Sequence, residues 1–185
     1  MKINLTAEFY LIDTDGTSRC VACKDADLFV GNFVLEFQFW FTAATGIYVT
    51  KTDGTTFSLS LSYYWDLKAP SGNTTYGPMV GTGITTPQIT NYTLGAKIAH
   101  GTGSGQLVYG ATAMPNPATS GSSRFWNVSR SFTNSSGASI TVNEIGLVAK
   151  TSSYYFMIAR DVLGTGVAIA NGQVGTLNYK FQVSV

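Results

Sequence analysis

The sequence predicts a mainly β protein: an antiparallel β-sandwich of the jelly-roll or immunoglobulin-like kind with one short helix. Three observations predict it. Apolar and polar residues alternate near both ends, through Ile3, Leu5, Ala7, Phe9 and Leu11 and again through Leu177, Tyr179, Phe181, Val183 and Val185. That period of two is the signature of half-buried strands. Twenty glycines, among many Ser, Thr and Asn, cut the remainder into runs too short for regular helices. Only residues 28–41 combine length with helical spacing.

At 185 residues the chain is expected to form one domain, 1–185. Within it, 1–75 holds a hairpin, the helix and a strand, and 76–185 is β throughout. Charged residues make up 11% and the net charge is +1, so there is no electrostatic footprint for nucleic acid and no disordered charged tail. A single His and three Glu leave little material for catalysis, and no enzyme activity and no cofactor are expected.

The elements follow in order. Residues 3–11 alternate, Asp15-Gly16 makes a hairpin turn, and residues 17–22 return as a second strand. Asp25-Ala26-Asp27 reads as a helix start. In the next segment Val30, Phe33, Val34, Phe37, Trp40 and Phe41 fit a helix, while Leu35, Phe37, Phe39 and Phe41 fit a strand. Length and the acidic lead favour the helix. This apolar stretch is broken by Gly31, Asn32, Glu36 and Gln38, and falls short of the roughly 20 residues a bilayer requires. Thr52-Asp53-Gly54-Thr55 is a further hairpin turn, followed by alternation over residues 57–63. Residues 68–78 form a loop. Strands are expected at 106–113, 123–132, 138–143, 145–150, 154–161 and 175–185, with turns at 115–121 and 133–137.

Several motifs invite chemistry that their surroundings do not support. Gly101-Thr102-Gly103-Ser104-Gly105 and Gly81-Thr82-Gly83 lack the Lys-Ser/Thr and the following helix of a phosphate loop, and read as turns. His100 has no nucleophile motif and no identifiable orienting acid. Asp13, Asp15 and Asp53 read as turn formers through Asx chemistry. Cys20-Val21-Ala22-Cys23 is a CxxC pair, but it lies among strand residues, and no second pair completes the four ligands of a zinc site. Two reduced thiols are expected. With no signal-peptide pattern after Met1-Lys2, they fit a chain made in a cytoplasm.

Glu144 and Arg160 stand out because both interrupt strongly apolar strand sequences. Charges in such places are paired or meet a partner chain. The expectation is a buried ion pair, with Glu144 receiving a bidentate contact from Arg160, or else a subunit contact. Tyr63-Tyr64-Trp65, Phe125-Trp126 and Tyr154-Tyr155-Phe156 place neighbouring aromatics on opposite strand faces. At least one of each set then looks away from its local core, and Tyr64, Trp65, Trp126 and Tyr155 are the candidates for an exposed aromatic interface.

The order of short motifs in the second half carries a resemblance. Gly81-Thr82-Gly83 is followed by Thr85-Thr86-Pro87, Asn91-Tyr92-Thr93-Leu94, Arg130-Ser131-Phe132-Thr133-Asn134, Ser136-Gly137, Ile140-Thr141-Val142, Glu144-Ile145-Gly146-Leu147 and Ala159-Arg160-Asp161-Val162-Leu163. This resembles small β-rich virion proteins of tailed bacteriophages over residues 76–185. The resemblance implies a non-enzymatic structural component of the particle, a head decoration or a collar or tail part. It implies a homo-oligomer, as a trimer or ring, bound to other virion proteins. Neither nucleic acid nor membrane is expected as a partner, and the location is the virion, assembled in the host cytoplasm. The alternative is a receptor- or carbohydrate-binding module of a fibre, with Trp65 and Trp126 stacked on sugar rings. In the Glu144-Ile145-Gly146-Leu147 block, Gly146 is expected to admit another backbone closely.

Overall fold

A computed structural model describes residues 2–25, 31–42, 46–59 and 64–184. Strand β1 (Lys2–Ile12) and β2 (Ser18–Asp25) form the expected hairpin. Gly16 takes a positive φ of 85° at its turn, where the Asp13 N–H and carbonyl close on Thr17 and Gly16. Helix α1 (Gly31–Thr42) follows, then a small hairpin of β3 (Tyr48–Thr50) and β4 (Thr56–Ser58). The rest is strand and loop: β5 (Gly77–Gly81), β6 (Val108–Ala113), β7 (Ala118–Ser120), β8 (Ser123–Thr133), β9 (Ile140–Thr151), β10 (Tyr154–Ile169) and β11 (Val174–Ser184).

Two main antiparallel sheets result. The larger runs β2-β1-β11-β8-β6 with β7 on the end of β8, and the smaller runs β10-β9-β5. The terminal strands β1 and β11 lie side by side, so the N-terminal region is built into the same sheet as the C-terminal one. Alternation decides which side chains turn inward. Leu5, Ala7, Phe9, Leu177, Tyr179, Val128 and Phe132 from the larger sheet join Ile145, Leu147, Phe156 and Ile158 from the smaller in one buried core. The arrangement is sandwich-like. A second cluster, with Met79, Leu94, Val148 and Met157, covers the opposite face of the smaller sheet.

Helix wins over strand at residues 31–42. Its start is pinned by the buried Asn32, whose amide donates to the Thr50 carbonyl at 2.7 Å and accepts from the Thr50 N–H at 2.8 Å. Asp25, expected to open the helix at Asp25-Ala26-Asp27, instead ends β2, paired with Thr6; Ala26, Asp27 and the alternation at residues 60–63 lie outside the described residues. Other boundaries also differ from expectation, among them β5, which starts at Gly77 inside the expected 68–78 loop. Residues 138–143 and 145–150 belong to one uninterrupted strand, β9, because Glu144 is buried within the ladder and does not end it. Strand β10 continues to Ile169 through an irregularity between Val162 and Val167. Strand β7 forms inside the expected 115–121 loop.

Between β5 and β6 the chain makes a long excursion. It leaves at Gly81 and returns beside β5, where the Thr82 N–H donates to Ala96 and the Ile98 N–H to Val80. The returning loop, residues 82–97, lies over the outer face of the smaller sheet, where Leu94 packs with Met79, Val148 and Met157.

Candidate functional site

Glu144 and Arg160 meet under this loop. Arg160 opposes Gly146 in the β9–β10 register and Glu144 opposes Val162, so the two charged residues are diagonal neighbours on one sheet face. Arg160 donates from Nε at 3.0 Å and from Nη2 at 2.8 Å, both to Glu144 Oε2. Both side chains are sealed from water, at 0% and 2% exposure. The fork is therefore two-toothed on the guanidinium side and converges on one carboxylate oxygen.

The remaining valences go to the loop. Glu144 accepts backbone N–H bonds from Gly83 at 3.2 Å, Gly95 at 3.0 Å and Ala96 at 2.6 Å. Arg160 donates to the Asn91 side-chain oxygen at 2.9 Å and the Thr85 carbonyl at 3.1 Å. A β-carbon on Gly83 would stand 2.4 Å from Glu144 Oε1, and one on Gly81 2.5 Å from it, so the two glycines leave the space that the carboxylate fills. Burial works to raise the Glu144 carboxyl; the N–H groups of Ala96 and Gly95 together with Arg160 outweigh it and hold the group below its ordinary value. A buried charge with this many donors is satisfied and fixed. An added β-carbon on Gly146 would stand 2.9 Å from Leu94, 3.1 Å from Met157 and 3.4 Å from the Ala159 carbonyl on the neighbouring strand, so side chains approach closest, with the expected backbone just behind them.

A second buried cation, Arg130, was not singled out as a site by the sequence reading. It points inward on β8 with Val128 and Phe132 and reaches the edge of the smaller sheet. Nε donates to the Gly110 carbonyl at 2.8 Å, Nη1 to Tyr76 and Pro78, and Nη2 to Pro70 and to Asn73 at 2.6 Å. The guanidinium carbon lies 4.9 Å from the Tyr109 ring centre. Burial lowers its pKa. The signal was present: Arg130 shares the strand parity of two core residues.

The aromatic candidates divide. Tyr64 is exposed, at 73%. Trp65, Trp126 and Tyr155 are half-buried, each keeping part of its surface open while packing on a neighbouring ring. Trp65 belongs to no strand, so strand alternation does not govern it, and it packs against Phe33 and edge-on to Phe156. Trp126 turns inward and stacks on Phe181 at 4.1 Å and 4°. Its outward neighbour Phe125 is covered by the Lys180 ammonium at 4.5 Å. Tyr155 stacks on Tyr76 over the second cluster. Phe33, Trp65, Trp126, Phe181 and Val183 line an open apolar groove of about 560 Å³, with Arg124 also in its wall.

His100 accepts the Tyr109 N–H at Nδ1, 3.1 Å away, and so has a structural partner. Asp15 and Asp53 close Asx turns onto Thr17 and Thr55, as expected. The two hydrogen bonds from Thr55 and the Lys51 ammonium hold the Asp53 carboxyl down at about 2. Cys20 and Cys23 are free and exposed. Among the described residues, no three His, Cys, Asp or Glu side chains gather as a metal-ligand group, and no helix is long and apolar enough to cross a membrane. No family model, curated protein or solved structure matches the chain.

Proposed function

We propose that this chain is a non-enzymatic structural component of a tailed-phage particle, self-associating and bound to other head, collar or tail proteins. The observation that carries this reading is the use made of the buried charges. Glu144, Arg160 and Arg130 direct their hydrogen-bonding capacity to backbone groups, Asn91 and one another, and thereby fasten irregular loops to the sheets. The fastened loop then presents Ile84 at 76% exposure and Ile89 at 61%. A rigid loop that shows apolar side chains to water is suited to contact a second copy. Several of the segments that carry the resemblance, Gly81-Thr82-Gly83, Asn91 to Leu94, Glu144 to Leu147 and Arg160, meet at this cluster.

Sedimentation velocity of the purified chain tests self-association. A discrete trimer or ring that dissociates on Ile84→Asp with Ile89→Asp supports the reading; a monomer at every concentration opposes it. The carbohydrate-binding alternative is less well served, because Trp65 and Trp126 give ring contacts to Phe156 and Phe181.

A further inference from the structure

The CxxC pair gains a new meaning from an irregularity in β2. In a regular strand, residues three apart point to opposite faces. Here Phe9 opposes Ala22 and Tyr10 opposes Cys20, so Val21 is an extra residue, a β-bulge. Val21 and Ala22 both pack against the core. The alternation resets, and Cys20 and Cys23 emerge on the same, outer face, opposite Tyr10 and Glu8.

Tyr10 and Glu8 are two residues apart, about 6.6 Å at ~3.3 Å per residue. Cysteines opposite them share that separation, at the upper end of the roughly 4.4–6.8 Å between α-carbons that disulfides bridge. The Cys20 thiol donates to the Ala22 carbonyl at 3.4 Å, along the strand toward Cys23. Partial burial raises the Cys20 thiol pKa, and the neighbouring Cys23 and Glu8 raise it further. Tyr10 donates to Glu8 at 3.2 Å and completes the patch.

We propose that Cys20 and Cys23 form a reversible dithiol–disulfide couple on the free edge of the larger sheet, oxidised by small-molecule disulfides such as glutathione disulfide. One cysteine thiolate attacks a sulfur of glutathione disulfide, forming a protein–glutathione mixed disulfide and releasing one glutathione thiolate. The second cysteine thiolate attacks the protein sulfur of that bond and releases the other glutathione. The net change is two protein thiols and one glutathione disulfide to one protein disulfide and two glutathione thiols. Exposure of both sulfurs admits the oxidant. A separation at the long end of the range keeps the bond readily reducible, as for other labile disulfides. Closing it ties the two ends of the bulge together on an edge strand.

The test uses the full chain equilibrated in glutathione buffers of increasing oxidised fraction, then quenched, alkylated and mapped by mass spectrometry. The couple predicts loss of both thiols together, an internal Cys20–Cys23 link in a non-crosslinked chain, and reversal by dithiothreitol. Cys20→Ser and Cys23→Ser each stop at the mixed disulfide. The β signal in circular dichroism stays unchanged throughout. Thiols that stay reduced in excess glutathione disulfide, a doubly glutathionylated chain, a disulfide-linked dimer, or closure only as the β signal is lost would each overturn the proposal.

Discussion

Glu144 and Arg160 sit diagonally across β9 and β10 and meet through a single oxygen, Glu144 Oε2, which receives both Arg160 donors at 3.0 and 2.8 Å. That economy leaves Glu144 Oε1 for the N–H groups of Gly83 and Ala96, and the outer guanidinium nitrogens for Asn91 and Thr85. The ion pair is the point from which residues 82–97 hang. Desolvating two charges is costly, and the pair is favourable only because nearly every donor and acceptor around it is used.

Removing either partner leaves the other buried and unpaired. Glu144→Ala and Arg160→Ala are each expected to destabilise by about 3–5 kcal/mol. Urea denaturation of both singles and the double variant measures it. The double variant is expected to lose far less than the sum, and strict additivity would show that the two residues are not coupled.

Gly83→Ala tests the same pocket from the loop side. Its added methyl would lie 2.4 Å from Glu144 Oε1, so the carboxylate or the loop must move. The expected cost is about 1–3 kcal/mol, typical of overpacking. In a Glu144→Ala background the space is empty and the cost nearly vanishes. An equal cost in both backgrounds, read from thermal unfolding, would place the strain elsewhere.

Acid sensitivity has a defined sign. The Glu144 carboxyl is held below its ordinary value of 4.5, so its contribution is complete above that pH and is lost as the pH falls through the folded value. Thermal melts of the wild type and Glu144→Gln from neutral to acidic pH are expected to differ by a constant amount above pH 4.5 and to converge below it. A gap that widens on acidification would contradict the pairing.

Arg130 is expected to be as sensitive as the ion pair. Arg130→Met leaves five carbonyls without their donor and removes a side-chain bridge from β8 to Pro78 on β5. The loss should exceed about 3 kcal/mol, since each abandoned buried acceptor costs roughly 1–3 kcal/mol. Arg130→Lys supplies a point charge without the planar fork and is expected to recover only part. Chemical denaturation of the two variants gives the comparison, and full recovery by Lys would reduce Arg130 to its charge.

Much of the strand framework was readable because alternation is a local property. Leu5, Ala7, Phe9 and Leu11, and at the other end Leu177 and Tyr179, turn inward as their spacing assigns, while Val183 further along β11 is 40% exposed. The Glu144–Arg160 pair was readable for the same reason, as charges in apolar strands. Its loop partners were not: Gly83, Gly95 and Ala96 contribute backbone N–H groups, which carry no side-chain signature, and their convergence depends on how residues 82–97 fold back. Arg130 followed the inward parity but was masked by the polar Ser129 and Ser131 beside it. Phe125 and Trp126 take opposite faces of β8, as alternation requires, whereas the half-burial of Trp65, which lies outside any strand, had no local signature. The bulge at Val21, which reverses the meaning of the CxxC spacing, has no glycine or proline to announce it.

The measurement that bears most directly on the structural assignment is the copy number of this chain in purified particles, by quantitative mass spectrometry against the major shell protein. The account predicts a fixed, stoichiometric presence: hundreds of copies for a head decoration, or a few to a few dozen for a collar, tail or fibre part. Absence of the chain from the particles would contradict it.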